Sequence, residues 1–383
     1  MHAKKINSSY LKQYGAVVLI YLLILSVFLF KTRFVLLDPR LWYEEGIVYL
    51  HDSILNGFPS VFSNHQGYYS IIPSVTIYLS SLFPTKYIPY FTVYVSLLFW
   101  GYFFYEIFLY VTHRYPKNSI GKIFFVLTIF LITASGQEIL LNTITLQFIT
   151  PFIIYFIIKN HHELSVSRQI LIWVCLLSGV MGLLFIPLLY LKYFKKYKVL
   201  FLFIAVGVLF HIYSVIFYTS DNRTTITERL MWNVSYKLQL LKDKDYLKFL
   251  YKNYYLIFFT AFFYYRRMNR EKLITIITLL GLAVFVDFTR VLPNLDAERY
   301  NCIMTASVFL VLCELMNGII SPKLHLPLLI VSFGLMSFKI PRLLYSDFIY
   351  CKGASWKNEY KKYDSYLPAK IHPCGLNIEK PTK

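Results

Sequence analysis

Acidic side chains are scarce in this chain, where 20 Asp and Glu stand against 39 Lys and Arg in 383 residues. Charged residues of both signs reach only 15%, well short of the roughly 25% that a soluble globular protein carries. Cysteine is sparse too. The five cysteines (Cys175, Cys302, Cys313, Cys351 and Cys374) follow no metal spacing, and three lie in apolar segments where they read as small packing residues. Whether Cys351 and Cys374 pair is left open. A two-half internal repeat is also missing, which counts against the inverted-repeat transporters.

What is abundant is apolar surface: 57% of residues are hydrophobic, 19% are aromatic, and the mean hydropathy is positive. A soluble helix shows one apolar stripe, whereas the runs here are apolar all round and numerous. They lie at 15–31, 87–111, 123–135, 143–158, 170–191, 199–218, 254–265, 273–287, 302–315 and 326–338. The expected fold is all-α, a polytopic transmembrane helix bundle of about 10–11 spans, given that a span needs about 20 residues. The N-terminus MHAKKINSSYLKQYG precedes an apolar run as a signal peptide does, but no small-x-small cleavage site follows, so it reads as a retained first helix. The net charge of +19 does not point to nucleic acid, because the cations fall in short clusters between apolar runs rather than along one face.

Those clusters act as topology signals, since cytoplasmic loops keep Lys and Arg. The N-terminus goes inside, and so do the loops 113–122, 159–168 and 266–272, provided that 67–84 lies on the outer surface as a membrane-lying helix. The cluster at 191–198 falls inside only if 170–191 crosses twice, as two short helices turning at Ser178 and Gly179. One ordinary span containing a glycine is the alternative. The first reading predicts a broken helix, a feature that borders binding cavities in membrane proteins. The outer face then holds the first loop, 32–86, and a short C-terminal tail, 339–383, with the helical domain covering 1–338.

Nearly all the chemically interesting side chains fall on that outer face. Asp38, Glu44 and Glu45, in DPRLWYEEGIVYL, share it with Glu138, Arg290, Asp296, Glu298 and Arg299. Arginine offers bidentate phosphate contacts and a carboxylate takes a proton, which suits a lipid-linked anionic substrate. The plainer reading of Arg290 and Arg299 is that they anchor helix ends at the interface. His161 and His162 fall in an inner loop and read as solvated. The sequons at Asn222 and Asn233 are common by chance, and the basic aromatic stretch 225–253 reads as lying on the lipid surface.

In order along the chain, these residues resemble the GT-C class of polytopic glycosyltransferases, which use a polyprenyl-phosphate sugar. The closer resemblance is to a bacterial subgroup that modifies O-antigen. Its Trp-x-Glu-acid-Gly motif after helix one is matched by Trp42, Glu44, Glu45 and Gly46. Its next pattern is matched by Gly67, Tyr68 and Pro73, with Ser74 where Arg is usual. QEILLNTITLQF supplies Glu138, Asn142, Thr145 and Gln147; Ser178 and Gly179 match a turn; Arg299 and Tyr300 match an Arg-Tyr pair. The tail SWKNEYKKYDSYLPAKIHPCG resembles a closing stretch, with Leu376 in place of a usual Trp.

The resemblance implies transfer of a sugar from a polyprenyl-phosphate donor to a glycan or lipid-linked glycan acceptor at the outer face of the inner membrane, with inversion. Glu44 is the preferred base, Glu45 the next and Asp38 the third. Trp42, Tyr68, Glu138, Asn142, Gln147, Arg290, Arg299 and Tyr300 form the expected substrate-binding set, with membrane lipids as the surroundings. A lipid phosphate is already a good leaving group, so neither metal nor cofactor is called for. Two other readings stay open: a polysaccharide repeat-unit polymerase, and a lipid-linked oligosaccharide transporter. Donor sugar, acceptor and oligomeric state are not legible.

Overall fold

The computed structural model describes residues 8–42, 44–65, 69–114, 119–134, 141–217, 235, 268–289, 298–316, 322–337, 355–371 and 376–381. Helix α1 (Ser8–Leu37) leads into a π-helix over Glu45–Leu50, a short α2 (His51–Asn56) and a 3-10 helix over Phe58–Phe62. Next come α3 (Ile71–Ser81), a 3-10 turn at Thr85–Tyr87, α4 (Ile88–Arg114) and α5 (Ser119–Ala134). A 3-10 helix over Ile144–Phe148 feeds α6 (Thr150–Asn160), and α7 (Val166–Leu176) follows. A further 3-10 helix at Val180–Phe185 runs into α8 (Ile186–Tyr193), then α9 (Lys198–Phe217). The later helices are α10 (Arg270–Thr289), α11 (Glu298–Met316) and α12 (Pro322–Ser337).

The tail holds α13 (Trp356–Asp364) and a two-stranded antiparallel pair, β1 (Ala369–Ile371) with β2 (Leu376–Ile378), in the register Ala369 opposite Ile378. The described residues are thus mostly helical, in keeping with the all-α expectation, and this small pair is an addition to it. Three-residue strands are too short to display a period of two in sequence.

Helix α6 is the centre. Every residue from Thr150 to Ile158 is buried, as befits a segment apolar on all sides. It packs on α4 and α7, while α10 pairs with α11, and α5 with α12 and α1. At the periphery the apolar faces turn outward. On α9, Val199, Leu202, Phe203, Val206, Leu209 and Tyr213 are exposed, and α1 exposes Leu19, Leu22, Leu23 and Phe30. Among the described residues one helix, Thr85–Arg114, is long and apolar enough to cross a membrane. Helix α3, at 11 residues, extends about 16 Å and cannot cross a hydrocarbon layer of about 30 Å.

The helix break at Ser178 and Gly179 is present. Helix α7 stops at Leu176, and Gly179 takes φ +140, a conformation that side-chain-bearing residues rarely adopt. The chain then returns along α8 to the end it started from: the Lys196 ammonium pairs with the Glu163 carboxylate, and the Tyr197 hydroxyl accepts from the Leu164 amide at 2.7 Å. α7 and α8 thus form a helical hairpin with both feet together.

The feet stand in a layer of charge at one end of the bundle. The buried Glu106 of α4 accepts from the Tyr102 hydroxyl and the Asn160 amide, each at 2.7 Å, and lies 3.2 Å from His161 Nε2 and 3.9 Å from Arg168 Nε. Glu314 of α11 accepts from the Tyr155 hydroxyl at 2.7 Å and pairs with Lys159 at 3.2 Å; Lys159 also reaches Thr275 of α10. His161 is therefore not a solvated loop residue. The reason is Glu106, an acid inside an apolar helix, which the loop folds back to satisfy.

Candidate functional site

The opposite end of the bundle is where the first loop, the hairpin tip and the tail meet. The loop and tail share one apolar cluster: Leu41, Tyr49 and Leu50 of the loop, Ile77, Ile88 and Ile144, and Trp356, Tyr363, Ala369 and Ile378 of the tail. Trp356 Nε1 donates to the Thr85 carbonyl at 3.1 Å, and Ser355 caps α13 while its hydroxyl donates to Asp38. Within the tail, Glu359 accepts from the Lys370 amide at 2.8 Å and the Lys362 ammonium at 2.9 Å, tying α13 to β1.

This packing separates the roles of the three acids. Asp38 is a tether: its carboxylate holds Ser355 and, at 3.2 Å, Arg40. Glu45, fully buried at the first turn of the π-helix, is locked. One carboxylate oxygen accepts from the amide and the hydroxyl of Thr143, both at 2.7 Å, and the other from the Trp42 amide at 2.9 Å. Glu44, one residue earlier and half-buried, has a buried carboxylate oxygen with no hydrogen-bond partner among the described residues. The successive residues face different neighbours, and the π-helix that they enter is a geometry found frequently at functional sites.

Burial pushes the Glu45 carboxyl up from the usual range to about 7, against the hydrogen bonds from Trp42 and Thr143, which pull it down; the Glu44 charge raises it further. The folded state therefore holds its proton more tightly than the unfolded chain. Stability from this group is full below about pH 4.5 and is lost as pH rises through about 7; a displacement of that size is worth on the order of 3 kcal/mol. Thermal midpoints in detergent between pH 4.5 and 8 are expected to fall as pH rises. In Glu45→Gln that slope should shrink, and an identical slope in both proteins would contradict the assignment.

From Glu45 the contacts form a closed circuit. Thr143 precedes the 3-10 helix that carries Gln147, whose side-chain oxygen packs against Gly179 so closely that a Cβ there would stand 2.9 Å from it. The hairpin tip also meets the start of α3, where the Leu177 carbonyl accepts from the Ile71 amide at 3.1 Å. Its Leu176 carbonyl accepts from His211 of α9 at 2.9 Å. One turn on, the Ser214 carbonyl accepts from Asn64 at 2.6 Å, and the neighbouring His65 meets Tyr49 of the π-helix edge to face, with ring centroids 4.5 Å apart. His65 is further held by Asp52 at 3.3 Å.

The expected set is thus gathered in part. Glu45, Gln147 and the Ser178–Gly179 turn lie along this circuit, and Glu44 and Asn142 adjoin it in sequence. Asn142 turns its oxygen onto the Thr145 amide and hydroxyl at 2.9 and 2.8 Å, shaping the turn before the 3-10 helix. Trp42 contributes its backbone amide. Ser74, where the resemblance calls for Arg, is buried and donates to the Ser70 carbonyl at 2.8 Å. Tyr68, Glu138, Arg290, Asp296, Cys351 and Cys374 lie outside the described residues, as do the segment 254–265, both sequons and all but Ser235 of 225–253. So do the side chains of Arg299 and Tyr300, on the first turn of α11.

Sequence reasoning passed over Thr143, Asn64 and His211. The histidine had a readable signal, an ionisable residue inside an apolar run; the other two had none. Cys175, Cys302 and Cys313 are buried and form no disulfide among the described residues, as expected of packing residues. Among the described residues no three His, Cys, Asp or Glu side chains gather as a metal site. Comparison of the chain with protein-family models, curated proteins and solved structures finds no match.

Proposed function

We propose that the protein is a multi-pass membrane glycosyltransferase that moves a sugar from a polyprenyl-phosphate donor to a cell-envelope glycan, with its site on the extracytoplasmic face of the inner membrane. The observation that carries this reading is the Glu44 carboxylate, whose buried oxygen has no partner among the described residues, set beside a fully hydrogen-bonded Glu45. The outward apolar faces of α1 and α9 support a lipid setting, since soluble monomers rarely expose so much contiguous apolar surface. The gathering of the basic loops 159–168 and 191–198 at one end, with the loop and tail at the other, fits the positive-inside orientation.

In the proposed reaction Glu44 takes the proton of the acceptor hydroxyl as its oxygen forms a bond to the anomeric carbon. The bond from that carbon to the phosphate oxygen breaks, and polyprenyl phosphate leaves with the electron pair. A single displacement inverts the anomeric centre. Arg299 and Arg290 are the proposed phosphate contacts, and Glu45 with Thr143 hold the loop against the 3-10 helix.

Mass spectrometry of cell-envelope glycans with and without the protein tests the function. Loss of one side-branch sugar with polymer length unchanged is the expected result, whereas shortened polymers would select a polymerase instead. Orientation has its own check. In a background without native cysteines, a membrane-impermeant thiol reagent should label Leu55→Cys and Leu367→Cys, both at exposed positions, but not His162→Cys. Labelling of His162→Cys from outside would reverse the topology.

A further inference from the structure

We propose that Asn64 and His211 form a subsite that binds the hydroxyl groups of a hexose; the identification of that hexose as the donor sugar rests on the transferase reading above. His211 is 3% exposed, and its Nε2 lies 2.9 Å from the Leu176 carbonyl at the end of α7. A carbonyl only accepts, so Nε2 carries the hydrogen and, in the neutral ring, Nδ1 presents a lone pair. Nδ1 is buried and has no partner among the described residues. Asn64 repeats the pattern. Its Nδ2 donates to the Ser214 carbonyl at 2.6 Å, which fixes the amide orientation, and its Oδ1 is buried with no partner among the described residues.

His211 and Ser214 are three residues apart on α9 and so share a face. The two acceptors, neither with a donor among the described residues, are thus held from residues of α9 about one helical turn apart, on the circuit that starts from Glu45. Leaving such atoms unpaired is unfavourable, so the place calls for a ligand rich in donors. Two features narrow the class. Neither group carries a positive charge and both unpaired atoms are acceptors, so they match O–H donors rather than a phosphate. The surroundings are aromatic: the Tyr69 ring lies 6.5 Å from the His211 ring and 5.5 Å from Phe210, and Phe62 stacks on Phe210. The Tyr69 hydroxyl donates its hydrogen to the Val61 carbonyl at 2.9 Å, so that residue offers its ring and no donor. Apolar walls with a few convergent acceptors suit a ligand with an apolar ring face and several O–H donors, which describes a hexose.

Nanodisc-embedded protein would be titrated with polyprenyl-phosphate glucose, galactose and mannose, each compared with bare polyprenyl phosphate. The wild type should bind at least one sugar-bearing lipid more tightly than the bare one. Asn64→Leu and His211→Gln should each weaken that lipid roughly threefold to tenfold, the range of one neutral hydrogen bond, and leave bare polyprenyl phosphate unchanged. Should a variant fail to fold, nitrogen NMR of histidine-labelled wild type provides the second measurement: the Nδ1 signal of His211 should move with the sugar-bearing lipid and not with the bare one. Equal losses for both lipids, or an Nδ1 signal unmoved at saturation, would overturn the subsite and leave an ordered water as its occupant. The two readings fail separately. A protein that binds the sugar through these residues but transfers nothing refutes the transferase and keeps the subsite; unchanged KM in both variants with transfer intact does the reverse.

Discussion

Glu44→Gln is expected to lower sugar transfer by roughly a hundredfold to ten-thousandfold, the contribution of a positioned general base, with the thermal midpoint unchanged. Glutamine keeps the shape of the side chain and removes its capacity to take a proton. The fold has little to lose, because the buried oxygen at this position makes no hydrogen bond among the described residues. The adjacent acid behaves differently. Glu45 receives three hydrogen bonds from two segments of chain, so its loss perturbs stability as well as rate. Turnover and thermal midpoint measured together on both variants separate the roles. Full activity in Glu44→Gln would remove it as the base.

Gly179→Ala should destabilise the protein by roughly 2–4 kcal/mol, combining a backbone conformation unfavourable to side chains with overpacking. Its new Cβ would lie 2.9 Å from both Cβ and Oε1 of Gln147, and its φ is +140. Gln147 is itself buried on a 3-10 helix, so it has little room to yield. The matching control is Gly101→Ala on α4, where a Cβ meets nothing within 4 Å. A lowered thermal midpoint in the first variant and none in the second is the expected pattern. Equal midpoints would mean that the tip adjusts freely and does not fix the 3-10 helix.

The hairpin was legible because two independent signals agreed on it: a Ser-Gly step within an apolar run, and basic clusters on both flanks. The acid pair was legible because acids are rare here. Its division of labour was not, since Glu44 and Glu45 differ only in what they meet, and the partner of Glu45 is Thr143, 98 positions away. A threonine in NTITLQF carries no mark of that contact. The same limit hid Asn64 and its carbonyl partner 150 positions later. Glu106 and Glu314 are different: acids within apolar helices are visible in the sequence, and the error lay in attending only to charges outside the helices.

The tail closes over a loop that was made long before it. Ser355 meets Asp38 across 317 positions, and Trp356, Tyr363 and Ile378 cover Leu41, Tyr49 and Leu50. A chain emerging in order presents the loop first, with those three side chains facing water until residues 355–378 have been synthesised. The Glu44 segment therefore reaches its final packing only after residues 355–378 exist. A chain stopped short of Ser355 would display helices in place and an unroofed loop, so synthesis of residues 355–378 and acquisition of a set acidic loop are one event.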